Sequence, residues 1–370
     1  MVRWPVGGIR THLKYVYPLL AQKLGGMQLT LLGPRMGEME LLRRDLAALQ
    51  VRFIEPDDRT NVALARAVDH EIAGGDVDLV HSHGFTAACC AALPARWRRV
   101  PHLATIHDIL QDSQFVGSKG IARRLGFRVL LNLVDVVHAV GNQAGENLVA
   151  YLGRGIGSRL RVIRNGILTE PVLQAAPRDL RTELGLQSSA FIVGYFGRFM
   201  AQKGFRYLVE AVRLLRDREG NQLHRPVHVV ALGADGFVRE ERAALERAGL
   251  RSYFSFLPHV PELASTLKAV DVVAIPSLWE AMPLLPMEAM VAGVPVVGTN
   301  CIGLGEVLVD SPSAIISPRD AAALAGALEH EANSSSRAAA EGFVPRAVER
   351  FDVASQVSKL SDLISQMTTR

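Results

Sequence analysis

The chain alternates short apolar runs of strand length with stretches of helical spacing, and it does so in two successive series. In the first series, strands are expected at 28–32, 51–54, 77–81, 102–106, 134–140 and 160–163. Helices are expected between them at 13–24, 38–49, 61–72, 87–95, 121–133 and 144–151. Residues 168–177 are poorly periodic and contain Pro171 and Pro177, so they read as a linker. The series then restarts, with strands at 191–196, 227–232, 253–257, 270–275, 294–297 and 314–316. Its helices are expected at 204–218, 239–248, 261–268, 320–329 and 351–367. Strands that alternate with helices form parallel sheets covered on both faces. The expected fold class is α/β, with two Rossmann-like lobes facing across a cleft. The expected boundaries are 1–168 for the N-terminal lobe, 178–350 for the C-terminal lobe, and 351–370 for a last helix packing back towards the first lobe.

A chain of 370 residues is long enough for two such cores. Its 49% apolar and 21% charged content fits a soluble α/β protein and excludes a disordered one. No apolar run approaches the roughly 18 residues of a spanning helix, and no signal peptide is visible. Cys89, Cys90 and Cys301 show no metal-ligand spacing, and their odd number fits a reducing compartment. The cytoplasm is the expected location, peripherally at the inner face of the membrane.

The net charge of +4 is unevenly spread. Residues 1–165 hold 21 Lys and Arg against 14 Asp and Glu, a balance of +7; the remaining 20 and 23 give −3. Two basic clusters lie in the first half. One is Arg96, Arg98 and Arg99 with Trp97; the other is Lys119, Arg123, Arg124 and Arg128, interleaved with Ile121, Leu125 and Phe127. The second has the pattern of an amphipathic surface helix, which suits peripheral contact with an anionic membrane. A solvated helix face is the plainer alternative. No nucleic-acid partner is expected.

Residues 274–300 carry the densest chemistry. A buried strand ends at Pro276, and a loop carrying Glu280 follows. Pro286 suits the first turn of a helix, where its missing N–H costs nothing. Glu288 falls in that first turn, and Gly293 with Pro295 stops the helix. Ligands of open α/β sheets collect at the carboxyl ends of strands, and helix N-termini favour phosphate. Carboxylates in such a corner can accept hydrogen bonds from the vicinal hydroxyls of a ribose or hexose. Glu288 as a helix-start residue and Glu280 as a solvated loop residue is the alternative.

Other polar groups stand at expected strand ends. Gly197-Arg198 ends the first strand of the second series, and Lys203-Gly204 opens the helix after it. Two cations there suit a leaving diphosphate, because stabilising developing charge is usually the largest catalytic contribution. In the first series, Gly7-Gly8 precedes a helix carrying His12, and its glycines would let a ligand approach the backbone. His107 follows the strand at 102–106.

In this order the pieces resemble one family, the retaining GT-B glycosyltransferases of the group-1 type, glycosyltransferase family 4. The resemblance rests on Gly7-Gly8-Ile9-Arg10-Thr11-His12, His81-Ser82-His83-Gly84, Thr105-Ile106-His107-Asp108 and Asn165-Gly166-Ile167. It continues with Gly197-Arg198, Lys203-Gly204, Pro276-Ser277-Leu278-Trp279-Glu280, Glu288-Ala289-Met290, Gly293-Val294-Pro295-Val296-Val297 and Gly305-Glu306. It covers nearly the whole chain. The resemblance implies a transferase that moves a sugar from a nucleotide-sugar of the UDP or GDP type, with retention. A cell-envelope glycan or lipid-linked saccharide is the implied acceptor. Arg198 and Lys203 would hold the donor diphosphate and neutralise it as it leaves. Glu288 would bind the ribose hydroxyls and Glu280 the donor sugar. Gly8 would let the backbone reach the diphosphate, and Leu284 and Leu285 would line the donor site. His107 would lie near the reacting sugar. No resident cofactor and no metal are implied, since the two cations could do a metal's work.

Two departures stand out. Only residues 1–6 precede Gly7, too few for the family's first strand and its turn, so that strand is expected to be missing and a sheet edge left unpaired. Between the two glutamates, Ala281-Met282-Pro283 replaces the family's frequent Gly-Phe-Gly, and Pro283 has no N–H to offer a donor. A lost bond of that kind is worth roughly 1–3 kcal/mol. The alternatives are a decayed transferase-like binding protein, a sugar-nucleotide epimerase on the same fold, and a Rossmann oxidoreductase. The last lacks a Gly-x-Gly-x-x-Gly after a first strand.

Overall fold

The computed structural model describes residues 1–218, 225–233, 238–258 and 263–369. The chain divides into two compact units. One is Met1–Gly166 with Val353–Arg370, and the other is Ile167–Asp352.

The first unit holds six strands: β1 (Leu29–Leu32), β2 (Val51–Ile54), β3 (Val80–His83), β4 (His102–Ile106), β5 (Val136–Ala139) and β6 (Leu160–Val162). β1 pairs with β2, and β3-β4-β5-β6 form a second sheet; every pairing is parallel. The first residues stand between the two sheets. The Val2 N–H donates to Leu32 O, and the His83 N–H donates to Met1 O, each at 2.9 Å. Val2 thus forms a single parallel bridge to His83 at the place where the sequence leads one to expect a missing strand. The helix Gly7–Leu24 packs along the last helix, Val353–Thr368, where Lys23 Nζ donates to Ser358 Oγ at 3.1 Å.

β3 runs over Val80–His83 rather than 77–81. Its polar residues Ser82 and His83 are buried, at 0% and 2% exposure. Neighbouring polar side chains satisfy them, so the strand continues past the end of its apolar run.

The second unit holds β7 (Phe191–Phe196), β8 (Val227–Leu232), β9 (Phe254–Leu257), β10 (Val272–Ile275), β11 (Val296–Thr299) and β12 (Ala314–Ile316). They form one parallel sheet in the order β12-β11-β10-β7-β8-β9. β7 and β10 are buried throughout, which is why they read as continuous apolar runs. Phe191, Val193 and Tyr195 of β7 pack with Leu208, Val212 and Leu215 of the helix Phe205–Arg218. The strand order reverses between β7 and β10. Loops that leave neighbouring strands at such a point diverge and open a crevice. The loops after β7 and β10 carry Arg198, Lys203 and Glu280.

Two details differ from the sequence pattern, and a third lies partly outside the described residues. The segment read as a linker contains a short helix, Thr169–Gln174, held where Lys268 Nζ donates to Leu173 O and Ala175 O at 2.7 and 2.8 Å. A helix at Arg337–Phe351 has no counterpart in the expectation, because Pro345 and a run of alanines blur its period; it buries Ala340, Phe343, Ala347 and Phe351. The helix expected from Pro261 begins outside the described residues, and its described part is Leu263–Leu267.

Candidate active site

The corner in the second unit is held together by its backbone. Gly204 has φ +69°, and a Cβ there would stand 1.9 Å from Pro276 O. A Cβ on Gly233 would stand 2.0 Å from Gly197 O. Side-chain-free positions therefore let the β7 loop lie directly on the β8 and β10 loops. Two hydrogen bonds stitch the β7 and β10 loops together: Leu278 N–H to Gln202 O at 2.7 Å, and Gln202 Nε2 to Trp279 O at 2.8 Å. Below them, Gly303 at φ +78° lies so close to Glu280 that a Cβ would stand 2.1 Å from its carbonyl oxygen.

On this frame Lys203 Nζ donates to Glu280 Oε1 at 2.7 Å, and Ser277 Oγ donates to the same oxygen at 2.7 Å. The Glu280 side chain is 7% exposed and Lys203 26%. Oε2 accepts no hydrogen bond among the described residues. Arg198 is half-buried, and its guanidinium makes no hydrogen bond or ion pair among the described residues. The carboxylate adds to burial in pushing the Tyr195 hydroxyl up, and burial pushes the nearby Cys301 thiol up to about 11. Both groups stay neutral near pH 7.

Glu288 lies in the first turn of the helix Leu285–Val291, with Pro286 beside it, as the sequence implies. It is buried, at 9% exposure. Leu284 caps that helix, and both Leu284 and Leu285 are half-buried.

In the first unit, Gly8 lies in the first turn of the helix Gly7–Leu24, and a Cβ on it would meet nothing within 4 Å. His107 follows β4 directly, and it belongs to a cluster that the motifs did not reveal as one. His107 Nε2 is 3.1 Å from His83 Nδ1, and its ring stands edge-on to His12 with centroids 4.7 Å apart. The Tyr17 hydroxyl lies 2.8 Å from His83 Nε2 and 2.9 Å from His81 Nδ1. Thr105 Oγ1 lies 2.7 Å from His81 Nε2 and 2.9 Å from His138 Nδ1, and His138 Nε2 donates to Ile163 O at 2.9 Å. Burial, chiefly, lowers every one of these imidazole pKa values: His12 to about 3, His138 to about 4, and His81, His83 and His107 well below the usual value. The cluster is neutral at pH 7. An Asp-x-Asp, Asp76-Val77-Asp78, lies before β3, at the opposite end of that strand from His83.

Comparison with known proteins accounts for both units. Residues 6–170 match the family model described as Glycosyltransferase Family 4, and residues 190–333 match the model described as Glycosyl transferases group 1. The D-inositol 3-phosphate glycosyltransferase of Paenarthrobacter aurescens is 27% identical over 292 residues, covering 77% of this chain and 68% of that protein. That of Corynebacterium urealyticum is 28% identical over 318 residues, covering 80% and 73%. Among solved structures, Anabaena HepE in complex with UDP-glucose superposes with a TM-score of 0.81 at 22% identity, covering 98% of this chain and 96% of that one. WaaG, a glycosyltransferase involved in lipopolysaccharide biosynthesis, superposes with a TM-score of 0.73 at 16% identity, covering 98% and 97%. Those likenesses give the fold as GT-B, two Rossmann-like lobes with parallel sheets. With its two family models side by side along the chain, this protein belongs to the group-1 glycosyltransferases of family 4.

Proposed function

We propose that the chain transfers a glycosyl group from a nucleotide-sugar of the UDP or GDP type to a glycan or lipid-linked acceptor, with retention of configuration. The observation that carries this reading is Glu280. One of its oxygens is anchored by Lys203 and Ser277, and the other is left for a ligand hydroxyl. On the same loop as Lys203, Arg198 carries a guanidinium that no described side chain neutralises. A carboxylate for sugar hydroxyls next to cations for a departing diphosphate is the arrangement that glycosyl transfer from a nucleotide-sugar requires. Arg198 and Lys203 take the place of a metal ion at the diphosphate. Glu288 accepts hydrogen bonds from the ribose hydroxyls, and Gly8, Leu284 and Leu285 leave room for the donor. His107 stands near the reacting sugar. The UDP and UDP-glucose bound in the HepE structures support a donor of this class.

The ribose assignment has a direct test. Glu288→Gln keeps the volume of the buried side chain but offers a weaker acceptor, so UDP or GDP affinity should fall roughly 10- to 100-fold by calorimetry. Equal nucleotide affinity in both proteins would remove Glu288 from the site.

The acceptor reading includes contact with an anionic membrane. Among the described residues no helix is long and apolar enough to cross a membrane. The helix Gly117–Leu131, however, buries only Gly120 and Leu131. It exposes Ile121, Leu125 and Val129 at 66%, 59% and 53%, four residues apart, and Lys119 and Arg123 are also exposed. Arg124 is held on Tyr151 O by its Nε at 2.8 Å. The neighbouring helix Phe85–Arg98 exposes Leu93 and Trp97. Arg98 is engaged with Asp69 at 2.9 and 3.1 Å, which leaves Arg96 and Arg99 as the cations there. Co-sedimentation with vesicles containing phosphatidylglycerol should be strong at low salt, weak at high salt, and reduced several-fold in Ile121→Ser/Leu125→Ser. Binding indifferent to anionic lipid, to salt and to these substitutions would count against membrane contact.

A further inference from the structure

The buried histidines of the first unit are joined by a chain of hydrogen bonds whose direction is fixed at one end. The Ile163 carbonyl can only accept, so His138 carries its proton on Nε2. A neutral imidazole has one donor and one acceptor, so His138 Nδ1 accepts from the Thr105 hydroxyl at 2.9 Å. That hydroxyl has a single proton, so Thr105 Oγ1 in turn accepts from His81 Nε2 at 2.7 Å. His81 Nδ1 then accepts from the Tyr17 hydroxyl, and Tyr17 Oη accepts from His83 Nε2. His83 Nδ1 accepts from His107 Nε2 at 3.1 Å. The chain ends on His107 Nδ1, a lone pair that accepts no hydrogen bond among the described residues. Burial keeps all four imidazoles neutral at pH 7, so the order holds there.

His12 is fixed from a different side. The Gly166 N–H donates to Gln356 Oε1 at 2.9 Å, which makes the amide nitrogen of Gln356 the donor. That nitrogen donates to Asn165 Oδ1 at 3.2 Å and to His12 Nδ1 at a long 3.4 Å. His12 therefore carries its proton on Nε2, an atom sealed from solvent with no hydrogen-bond partner. The His12 and His107 rings stand edge-on, and one nitrogen from each of His12, His83 and His107 lies within 4.8 Å of the other two. Adjacent rings thus hold one unspent donor and one unspent acceptor. A hydroxyl accepts and donates at once. A fully ionised phosphate has no proton to give His107, and an ammonium has no lone pair for His12.

We propose that Tyr17, Thr105, His81 and His83 are positioning residues whose hydrogen bonds hold His107 as an acceptor at Nδ1, so that His107 and His12 together take one uncharged ligand hydroxyl. Only the source of that hydroxyl, the transferred sugar, rests on the transferase reading. His107 is the half-buried member, so the hydroxyl enters from its side and reaches His12 as the His107 ring turns. The proton on one imidazole nitrogen is set by the bond the other nitrogen makes, and here that bond is one link of a buried chain. Without the Tyr17 hydroxyl, His83 Nε2–H would be a buried donor with no acceptor, which is worse tolerated than an unpaired acceptor. His83 then carries its proton on Nδ1 and donates it to His107 Nε2. His107 in turn carries its proton on Nδ1 and presents a donor where it had presented a lone pair. Each ring keeps one proton throughout.

Nitrogen NMR of the histidine-labelled whole chain reads these protons directly, with no turnover required. In the wild type, His81, His83, His107 and His138 should all carry the proton on Nε2. Tyr17→Phe should move it to Nδ1 in His83 and His107 and leave His81 and His138 as they were. Thr105→Val should move it in His81, His83 and His107, with His138 alone held by Ile163 O. Neither Tyr17 nor Thr105 is hydrogen-bonded to His107, and the second variant answers the question if the first fails to fold. A proton on His107 Nδ1 in the wild type, or an unchanged His107 in both variants, overturns the proposal. The hydroxyl has its own measurement. Both variants should lower kcat/KM for UDP-glucose, or for GDP-glucose if that is the donor turned over, by roughly 3- to 10-fold, with UDP or GDP affinity changed less than about 2-fold. Equal losses for the sugar-free nucleotide and the nucleotide-sugar would assign Tyr17 and Thr105 to the stability of the lobe and overturn the hydroxyl contact. A wild type with the expected nitrogen pattern and no turnover of any nucleotide-sugar would overturn the transferase reading and support the relay.

Discussion

Arg198→Ala lowers kcat by about 30- to 1,000-fold, the equivalent of about 2–4 kcal/mol in the barrier, while donor binding weakens much less. The asymmetry follows from when the charge appears. A diphosphate gains negative charge as the glycosyl bond breaks, so a fixed cation interacts more strongly with the transition state than with the bound donor. Melting should be unaffected, because the guanidinium holds nothing together among the described residues. Lys203→Ala should lower kcat by a similar factor but differs in stability. Lys203 is bonded to the buried carboxylate of Glu280 at 2.7 Å. Its removal leaves Ser277 as the only described donor to Glu280, at a cost of about 1–3 kcal/mol. The double variant should lose less than the product of the two single losses, since both act on one charge. Unchanged turnover in Arg198→Ala, with a nucleotide-sugar that the wild type turns over, would assign that side chain to solvent.

Gly204→Ala should lower the melting temperature by roughly 5–15 °C, corresponding to about 2–4 kcal/mol in the second unit. Two independent causes act together. At φ +69° any side chain is strained, and the added Cβ would stand 1.9 Å from Pro276 O. The loops after β7 and β10 must separate to admit it, which pulls Lys203 away from Glu280, so activity falls beyond what the loss of folded protein explains. Gly326→Ala is the matched control. It lies inside the helix Ala321–Asn333 with nothing within 4 Å of its Cβ, and alanine there should be neutral or stabilising by up to about 1 kcal/mol. Equal melting of Gly204→Ala and wild type would show that the two loops are not in contact as described.

Much of this architecture is legible in the chain itself. The strands at 102–106, 191–196 and 227–232 fall where their apolar runs predict, because strands of a covered parallel sheet are buried on both faces and need apolar side chains throughout. The β-strand–loop–helix corner from Val272 to Val291 is legible too, since Pro276, Pro286 and Gly293 punctuate it with local backbone rules that need no tertiary information. Motif order along the whole chain was enough to point to the family. Side-chain partnership was not legible. Lys203 and Glu280 are 77 residues apart and meet because β7 lies beside β10 at the reversal of strand order, a choice the alternation of elements does not make. The amphipathic period of the helix Gly117–Leu131 gives the spacing of Ile121, Leu125 and Val129, but only packing decided that this apolar row faces outward. His12, His83 and His107 come from one helix, one strand and one strand end. Singly they look like structural histidines. The parallel register of β3 on β4, with Val2 bridged to His83, brings them together. Local sequence fixes which groups a segment can offer, because backbone preferences act over a few residues; which groups meet depends on strand order and helix facing, set by the burial of the whole chain.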